Sequence, residues 1–137
     1  MLGEVPGCRI LVVEDEADIR ELLVQLLSDY AEVECAADGA EALERLRRGP
    51  SPSVILLDLR MPRLSGEELL AALEDEPARP PVVTMSACTA SRPRGATAHL
   101  HKPFALDAVL SALHRAVTGP AAQLAVVLPV VAAALAA

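Results

Sequence analysis

Residues 54–66 read VILLDLRMPRLSG, and this stretch decides the fold class. It begins with four consecutive aliphatic residues, 54–57, and the run stops at Asp58. A short apolar run without alternation is typical of a strand that is buried on both faces, as in a parallel sheet covered by helices on each side. The sequence therefore predicts a buried strand with a carboxylate at its carboxyl end.

Other short segments along the chain also fit strands. Further strands are predicted at residues 10–13, 32–36, 81–85 and 98–101, and apolar residues between the strands recur at the three- and four-residue steps of helices. Strands that alternate with helices form βαβ units with right-handed crossovers. We therefore expect a doubly wound α/β fold with a five-stranded parallel sheet.

The predicted helices have recognisable starts. Asp38 with Glu41, and Ser65 with Glu68, have the spacing of capping boxes, and the last helix is expected from about residue 105 to 117. The first helix is expected to bury one apolar stripe, made of Ile19, Leu22, Leu23, Leu26 and Leu27.

The composition indicates one domain with an aliphatic core. The chain has 137 residues, of which 53% are hydrophobic and 1% aromatic, and this length can bury a substantial core. The net charge of −7 and the lack of a basic cluster argue against nucleic-acid binding, because an acidic surface repels phosphate. Cys8, Cys35 and Cys88 match no metal or disulfide spacing, and residues 1–8 do not form a signal peptide, so we expect a cytoplasmic protein.

Polar groups come where four of the predicted strands end, namely Glu14 and Asp15, then Asp58, Ser86 and Lys102. Ligands of open parallel sheets bind at this edge, so we expect these groups to converge. Carboxylates about 4 Å apart repel by roughly 4 kcal/mol per pair at an effective dielectric near 20, and a divalent cation removes that cost. Oxygen ligands of high negative charge suit Mg²⁺ rather than zinc.

This set of groups suits phosphoryl transfer, which needs mainly positioning and charge neutralisation. The Asp58 carboxylate is the candidate nucleophile, and its product would be an acyl phosphate. Mg²⁺, the Lys102 ammonium and the Ser86 hydroxyl could each hold one phosphoryl oxygen. Each residue alone has an ordinary structural interpretation, but their joint placement favours a functional site.

The same residues resemble the receiver domain of two-component response regulators, the CheY-like family. The resemblance covers about residues 8–118 and rests on the acidic pair 14–15, the motif at 58–66, Ser86-Ala87, and the KPF sequence at 102–104. It implies a flavodoxin-like sheet of strand order 2-1-3-4-5. It also implies a signalling protein that is not an enzyme beyond catalysing its own phosphorylation and dephosphorylation. The phosphoryl donor would be a sensor histidine kinase or a histidine phosphotransfer protein.

The resemblance also implies a magnesium site. Asp15, Asp58 and the backbone carbonyl of Arg60 would bind Mg²⁺ directly, and Glu14 would act through a metal-bound water. Asp58 would be the phosphoacceptor.

The resemblance also implies roles for four further residues. Lys102 would pair with the phosphoryl group, and Ser86 would move to bond it on activation. Pro103 fits the family's cis-proline position. His99 occupies the switch position, where the family usually has Tyr or Phe; it is either a polar, pH-sensitive switch or a surface histidine of little consequence.

Two other features depart from the family. Only residues 88–94 separate Ala87 from Gly95, and Pro93 lies among them, so we expect the fourth helix to be shortened or absent. Signalling by dimerisation through that face is then not expected. Arg60 and Cys88 border the expected path of the hydrolytic water, and Arg60→Ala is expected to change the rate of phosphoryl loss.

Residues 119–137 form an apolar tail that the resemblance does not explain. Seventeen helical residues reach about 25 Å, less than the roughly 30 Å of a bilayer core, so packing or self-association is favoured over a membrane anchor. With no output domain, the chain is expected to be a stand-alone receiver that contacts an unknown downstream protein. A phosphohydrolase is disfavoured because Arg60 replaces its usual second acid, whereas a phosphate-independent interaction module stays an alternative.

Overall fold

Five parallel strands form the centre of the molecule in the computed structural model, which describes residues 5, 7–61, 64–76, 79–87 and 93–119. The strands are β1 (Arg9–Val13), β2 (Glu32–Ala36), β3 (Val54–Asp58), β4 (Val82–Ser86) and β5 (Ala98–His101). The helices within the described residues are α1 (Ala17–Leu27), α2 (Gly39–Arg48), α3 (Gly66–Leu73) and α4 (Leu106–Thr118). The sheet order is β2-β1-β3-β4-β5, so the predicted fold class and strand order are confirmed.

The sheet separates two hydrophobic layers. On one face, Ile10, Val12, Leu56 and Met85 pack with residues of α1 and α4. On the other face, alternate residues of β1 and β3 pack with residues of α2 and α3. All five residues of β3 are buried, because helices cover both of its faces. Asp58 therefore ends a strand that is buried along its whole length, as β4 is too.

The apolar stripe of α1 is narrower than predicted. Leu23 and Leu27 are buried and Ile19 packs against the core, but Leu22 is 52% exposed. The prediction for Leu22 was wrong because Ile19, Leu23 and Leu27 follow one another at four-residue steps, whereas Leu22 is turned about 100° away from Leu23. Leu26 is only partly buried.

The two predicted capping boxes differ. At α3, Ser65 and Glu68 make both reciprocal hydrogen bonds. At α2, the Asp38 side chain accepts a hydrogen bond from the Glu41 amide at 2.8 Å. The Glu41 carboxylate, however, accepts from the amide of Ala37 at 3.0 Å, one residue before the N-cap. The α2 start is therefore capped by its aspartate but lacks the reciprocal bond of a true capping box.

The connection from β4 to β5 holds no helix in the part that the structure describes, residue 87 and residues 93–97. Residues 88–92, including Cys88, lie outside the described residues. The Arg79 guanidinium donates a hydrogen bond to the carbonyl of Gly95, which has a φ of +92°. The amide of Thr97 donates to the carbonyl of Val82 at 2.7 Å. These two bonds fix the described end of the connection against the loop before β4 and against β4 itself.

Two further expectations concern the thiols and the tail. Cys8 is a buried free thiol and Cys35 a partly buried one. Among the described helices, none has the length and apolar character needed to span a bilayer. Residues 120–137 of the tail lie outside the described residues.

Candidate functional site

Three carboxylates meet at the carboxyl edge of the sheet. Glu14 directly follows β1, Asp15 comes next, and Asp58 ends β3, which is hydrogen-bonded to β1. One carboxylate oxygen from each lies within 4.8 Å of the others. Glu14 and Asp58 are buried, with exposed fractions of 1% and 4%, and Asp15 is partly buried. The structure thus brings together the three acids that the sequence placed at strand ends.

Lys102 adds a positive charge to these acids. Its Nζ lies 3.1 Å from Oε2 of Glu14 and 3.7 Å from Oδ2 of Asp58. The Lys102 amide donates to the carbonyl of Ser86 at 2.8 Å, which continues the pairing of β4 with β5 and brings the lysine to the acidic edge. The peptide bond between Lys102 and Pro103 is cis, in agreement with the family position.

The environment of Glu14 disfavours its ionised form. Burial, and then the nearby Asp58 carboxylate, raise its pKa to about 7, although the hydrogen bond and charge of Lys102 act in the opposite direction. A buried carboxylate with a raised pKa is one whose charge is incompletely compensated. The edge of the sheet therefore favours the binding of a further cation.

The backbone around Asp58 is closely held. The Arg60 amide donates to Oδ1 of Asp58 at 3.1 Å, and the Leu59 amide donates to the carbonyl of Met85 at 3.1 Å. A Cβ at Gly66 would lie 2.7 Å from both the Asp58 carbonyl oxygen and the Leu59 Cα. The last glycine of the 58–66 motif is thus required by the close approach of α3 to the backbone of Asp58.

Ser86 and His99 lie on the neighbouring strands. Ser86 is buried at the end of β4, one strand from Asp58. His99 pairs in register with Thr84, and its Nδ1 lies 2.7 Å from Oγ1 of Thr84. Its Nε2 is buried and has no hydrogen-bond partner among the described residues. Burial, and then the charge of His101, lower the pKa of His99. The ring is therefore partly buried and held by β4.

Sequence reasoning missed one residue at this edge. Arg20 of α1 donates from Nη1 to the backbone carbonyls of Glu14 and Asp15, at 2.9 and 3.3 Å. The available signal was a basic residue one turn into the helix that follows an acidic loop, but this pattern alone is too common to assign a role.

The donor set suits magnesium. Glu14, Asp15 and Asp58 offer only carboxylate oxygens, closely spaced and partly shielded from water. Mg²⁺ prefers such ligands and retains waters that can be exchanged for phosphate oxygens. Arg60, whose carbonyl is the remaining predicted ligand, lies two residues after Asp58 and is tied to it by its amide.

The chain is similar in sequence to curated response regulators. Response regulator MprA of Mycobacterium leprae is 38% identical over 110 residues, which cover 75% of this chain and 48% of MprA. The chain thus corresponds to about half the length of its curated relatives.

Solved structures are similar in fold over about four fifths of the chain. Chemotaxis protein CheY4 of Vibrio cholerae has a TM-score of 0.69 and 32% identity, over 80% of this chain and 98% of CheY4. Response regulator TrrA of Thermotoga maritima, in complex with Mg²⁺-BeF, has a TM-score of 0.71 and 29% identity, over 80% of this chain and 98% of TrrA. Residues 10–114 match the family described as the response regulator receiver domain. The chain therefore belongs to the receiver domains of two-component response regulators.

Proposed function

We propose that this chain accepts a phosphoryl group on Asp58 in a Mg²⁺-dependent step of two-component signalling. The observation that carries the proposal is the position of the Asp58 carboxylate, which lies in a cluster with Glu14 and Asp15 and 3.7 Å from the Lys102 ammonium. Acceptor, cation ligands and counter-charge are thus present at one sheet edge. Phosphorylation and magnesium dependence are general to the family.

In the proposed reaction, an oxygen of the Asp58 carboxylate forms a bond to phosphorus. The phosphorus–nitrogen bond of a phosphohistidine on the donor breaks at the same centre, and its electron pair stays with the imidazole. The donor is a sensor histidine kinase or a histidine phosphotransfer protein. This chain catalyses its own phosphorylation and dephosphorylation and has no separate substrate.

Each polar group of the edge has a part in the proposal. Asp15, Asp58 and the Arg60 carbonyl would hold Mg²⁺, with Glu14 acting through a bound water. When bound, the ion neutralises charge on the phosphoryl oxygens. The Lys102 ammonium moves from the carboxylates towards the phosphoryl group. Burial of the acids at the strand ends supports this assignment, because few waters compete for their charge.

Two residues on β4 and β5 would transmit the change. The Ser86 hydroxyl bonds the phosphoryl group, and His99, which is hydrogen-bonded to Thr84, responds to the movement of β4. The downstream partner is a protein, since the net charge of −7 disfavours nucleic acid. The complex of TrrA with Mg²⁺-BeF supports a magnesium site by analogy.

The test is phosphorylation of the full chain by acetyl phosphate, read by intact mass with and without Mg²⁺. We expect the mass of one phosphoryl group on the wild type, only with Mg²⁺, and none on Asp58→Asn. Asp29→Asn is the matched control, because Asp29 is exposed in the turn after α1, at the other end of this helix from Asp15. Phosphorylation of Asp58→Asn at the wild-type level would refute the acceptor assignment.

The alternative is a phosphate-independent interaction module on the same fold. A folded wild type that gains no phosphoryl group from acetyl phosphate or from phosphorylated donor protein would support that alternative. The close approach of Lys102 to the acids favours the acceptor, because a silent site gains nothing from this costly charge cluster.

The domain assignment is also a proposal, with residues 8–118 as the receiver and 119–137 as an apolar tail through which copies of the chain associate. The sequence of the tail supports it, since Gln123 is the one polar residue from 121 to 137. We expect the double variant Val127→Asp, Val131→Asp to have a lower molar mass in solution than the wild type, as measured by light scattering. Equal masses would refute self-association through the tail.

A further inference from the structure

We propose that Arg20 is a positioning residue that fixes the loop between β1 and α1 and thereby sets the affinity of the acidic edge for Mg²⁺. This inference rests on the proposed function. The loop carries Glu14 and Asp15, two of the three clustered acids. One guanidinium nitrogen of Arg20 donates to both of their backbone carbonyls.

Lys102 holds the Glu14 side chain, but the backbone of the loop makes few other hydrogen bonds to the described residues. The Glu14 amide donates to the carbonyl of Ala36 at 3.1 Å, which continues the pairing of β1 with β2. Beyond that point the helix start is weakly held, because Glu16, the N-cap of α1, makes no side-chain capping bond. Its amide reaches Oε1 of Glu14 only at 3.4 Å. By contrast, the N-caps of α2 and α3 both accept a hydrogen bond on their side chains.

Arg20 holds the loop in a different way from an N-cap, because it donates to the two carbonyls before the helix and does not accept from the amides of the helix. It lies in the first turn of α1, and side chains in a helix point back towards its N-terminus. The guanidinium therefore reaches over the turn to the two carbonyls that precede the helix. Arginine is always charged and offers several donors in a rigid plane, so it can hold two successive carbonyls at once. The backbone of Glu14 and Asp15 is thereby fixed from the helix side.

The two possible roles of Arg20, as a nearby charge or as a positioning residue, predict opposite changes in Mg²⁺ affinity when Arg20 is removed. If Arg20 acted only as a positive charge near the site, its removal would strengthen Mg²⁺ binding. If it acts by holding the loop, its removal lets the Asp15 carboxylate depart from its place beside Asp58, and binding weakens. Residues that orient metal ligands typically contribute 10- to 100-fold to affinity. The sign of the change therefore separates the two roles.

The experiment is calorimetric titration of the full chain with Mg²⁺ alone, for the wild type and two Arg20 variants. For Arg20→Ala we expect a dissociation constant for Mg²⁺ that is about tenfold higher than that of the wild type. For Arg20→Lys, which keeps the charge but loses the planar fork, we expect an intermediate value. Arg48→Ala is the matched control, because Arg48 pairs with Glu44 on the exposed side of α2, and it should bind as the wild type does.

Phosphorylation by acetyl phosphate gives an independent readout. We expect the Arg20→Ala rate to approach the wild-type rate when Mg²⁺ is saturating, since only the affinity is changed. Unchanged or tighter Mg²⁺ binding in Arg20→Ala, with the wild type still phosphorylated on Asp58, would overturn the role of Arg20 alone. If Arg20→Ala fails to fold, a wild-type affinity in Arg20→Lys would overturn it. A wild type that binds no Mg²⁺ would overturn this inference together with the proposed metal site.

Discussion

Glu14 and Lys102 are 88 residues apart in the chain, and the ammonium of Lys102 lies 3.1 Å from the carboxylate of Glu14. Lys102 also lies 3.7 Å from Asp58, so one cation serves two buried acids. Its side chain is 21% exposed, and that of Glu14 is 1% exposed. In the absence of metal, the fold depends on this lysine to compensate the charge at the edge of the sheet.

Lys102→Met should therefore destabilise the metal-free chain by about 3 kcal/mol at pH 8, because removal of one partner leaves buried acids unpaired. The loss should shrink at pH 5, because burial and the Asp58 carboxylate raise the pKa of Glu14 to about 7, so that Glu14 is protonated and neutral there. Mg²⁺ should recover part of the loss. Urea denaturation with and without Mg²⁺ measures these changes. Lys102→Arg, which keeps the charge, should lose clearly less stability than Lys102→Met. An equal loss in both variants would show that the charge of residue 102 does not account for the loss.

Gly66→Ala should destabilise the chain by about 2 kcal/mol and slow the phosphorylation of Asp58. The added Cβ would meet the backbone of residues 58 and 59 at 2.7 Å, and backbone cannot yield as a flexible side chain can. Gly49→Ala is the control, because its Cβ would lie 3.5 Å from the carbonyl of Arg45, an ordinary contact. Similar losses in the two variants, by urea denaturation, would contradict this reason.

His99 should make the chain less stable in acid. Burial and the charge of His101 lower the pKa of His99 below its usual 6.5. Below pH 6.5 the unfolded chain binds a proton that the folded chain binds less readily, so the free energy of unfolding falls as the pH falls through this range. His99→Phe removes this contribution, and its stability should fall less between pH 7.5 and pH 5.

The control for His99 is His101→Gln. Since burial is the larger cause of the lowered pKa, this variant should keep most of the wild-type decline in acid. Parallel stability curves for the wild type and His99→Phe, measured by urea denaturation across that pH range, would show that His99 has no part in the decline.

Arg79→Met should destabilise the chain by about 1.5 kcal/mol, the usual contribution of a hydrogen bond to a charged group. The variant loses the bond from the guanidinium to the Gly95 carbonyl, which holds the described end of the connection from β4 to β5. Arg48→Met loses only an exposed pair with Glu44 and should change stability by less than about 0.5 kcal/mol. Thermal melts of equal midpoint for the two variants would contradict the role of Arg79.

The central strands of the fold were predictable because residues 10–13 of β1 and 54–57 of β3 are uninterrupted apolar runs followed by a carboxylate. The bounds of β2 and β5 agree with the prediction, and β3 differs only by including Asp58. The acids of the edge were predictable for the same reason, since the end of a parallel strand fixes which side of the sheet a residue occupies.

Other features depend on tertiary packing and were not predictable. The exposure of Leu22 depends on how α1 rotates against the sheet. The bond of His99 to Thr84 depends on the register between β4 and β5, which hydrophobicity does not determine. The reach of Arg20 to two carbonyls depends on the path of the loop before α1.

The acidic edge draws its groups from the ends of β1 and β3 at the centre of the sheet and from β5 at its border. Until β5 has joined β4, Glu14 and Asp58 have no lysine beside them. A cation that binds there recognises the finished sheet and not the unfolded chain. A ligand present at 100 times its dissociation constant stabilises its folded form by about 2.7 kcal/mol. Where Mg²⁺ binds this edge, the ion therefore stabilises the folded chain. The rate at which the protein is degraded in the cell then depends on the free concentration of Mg²⁺.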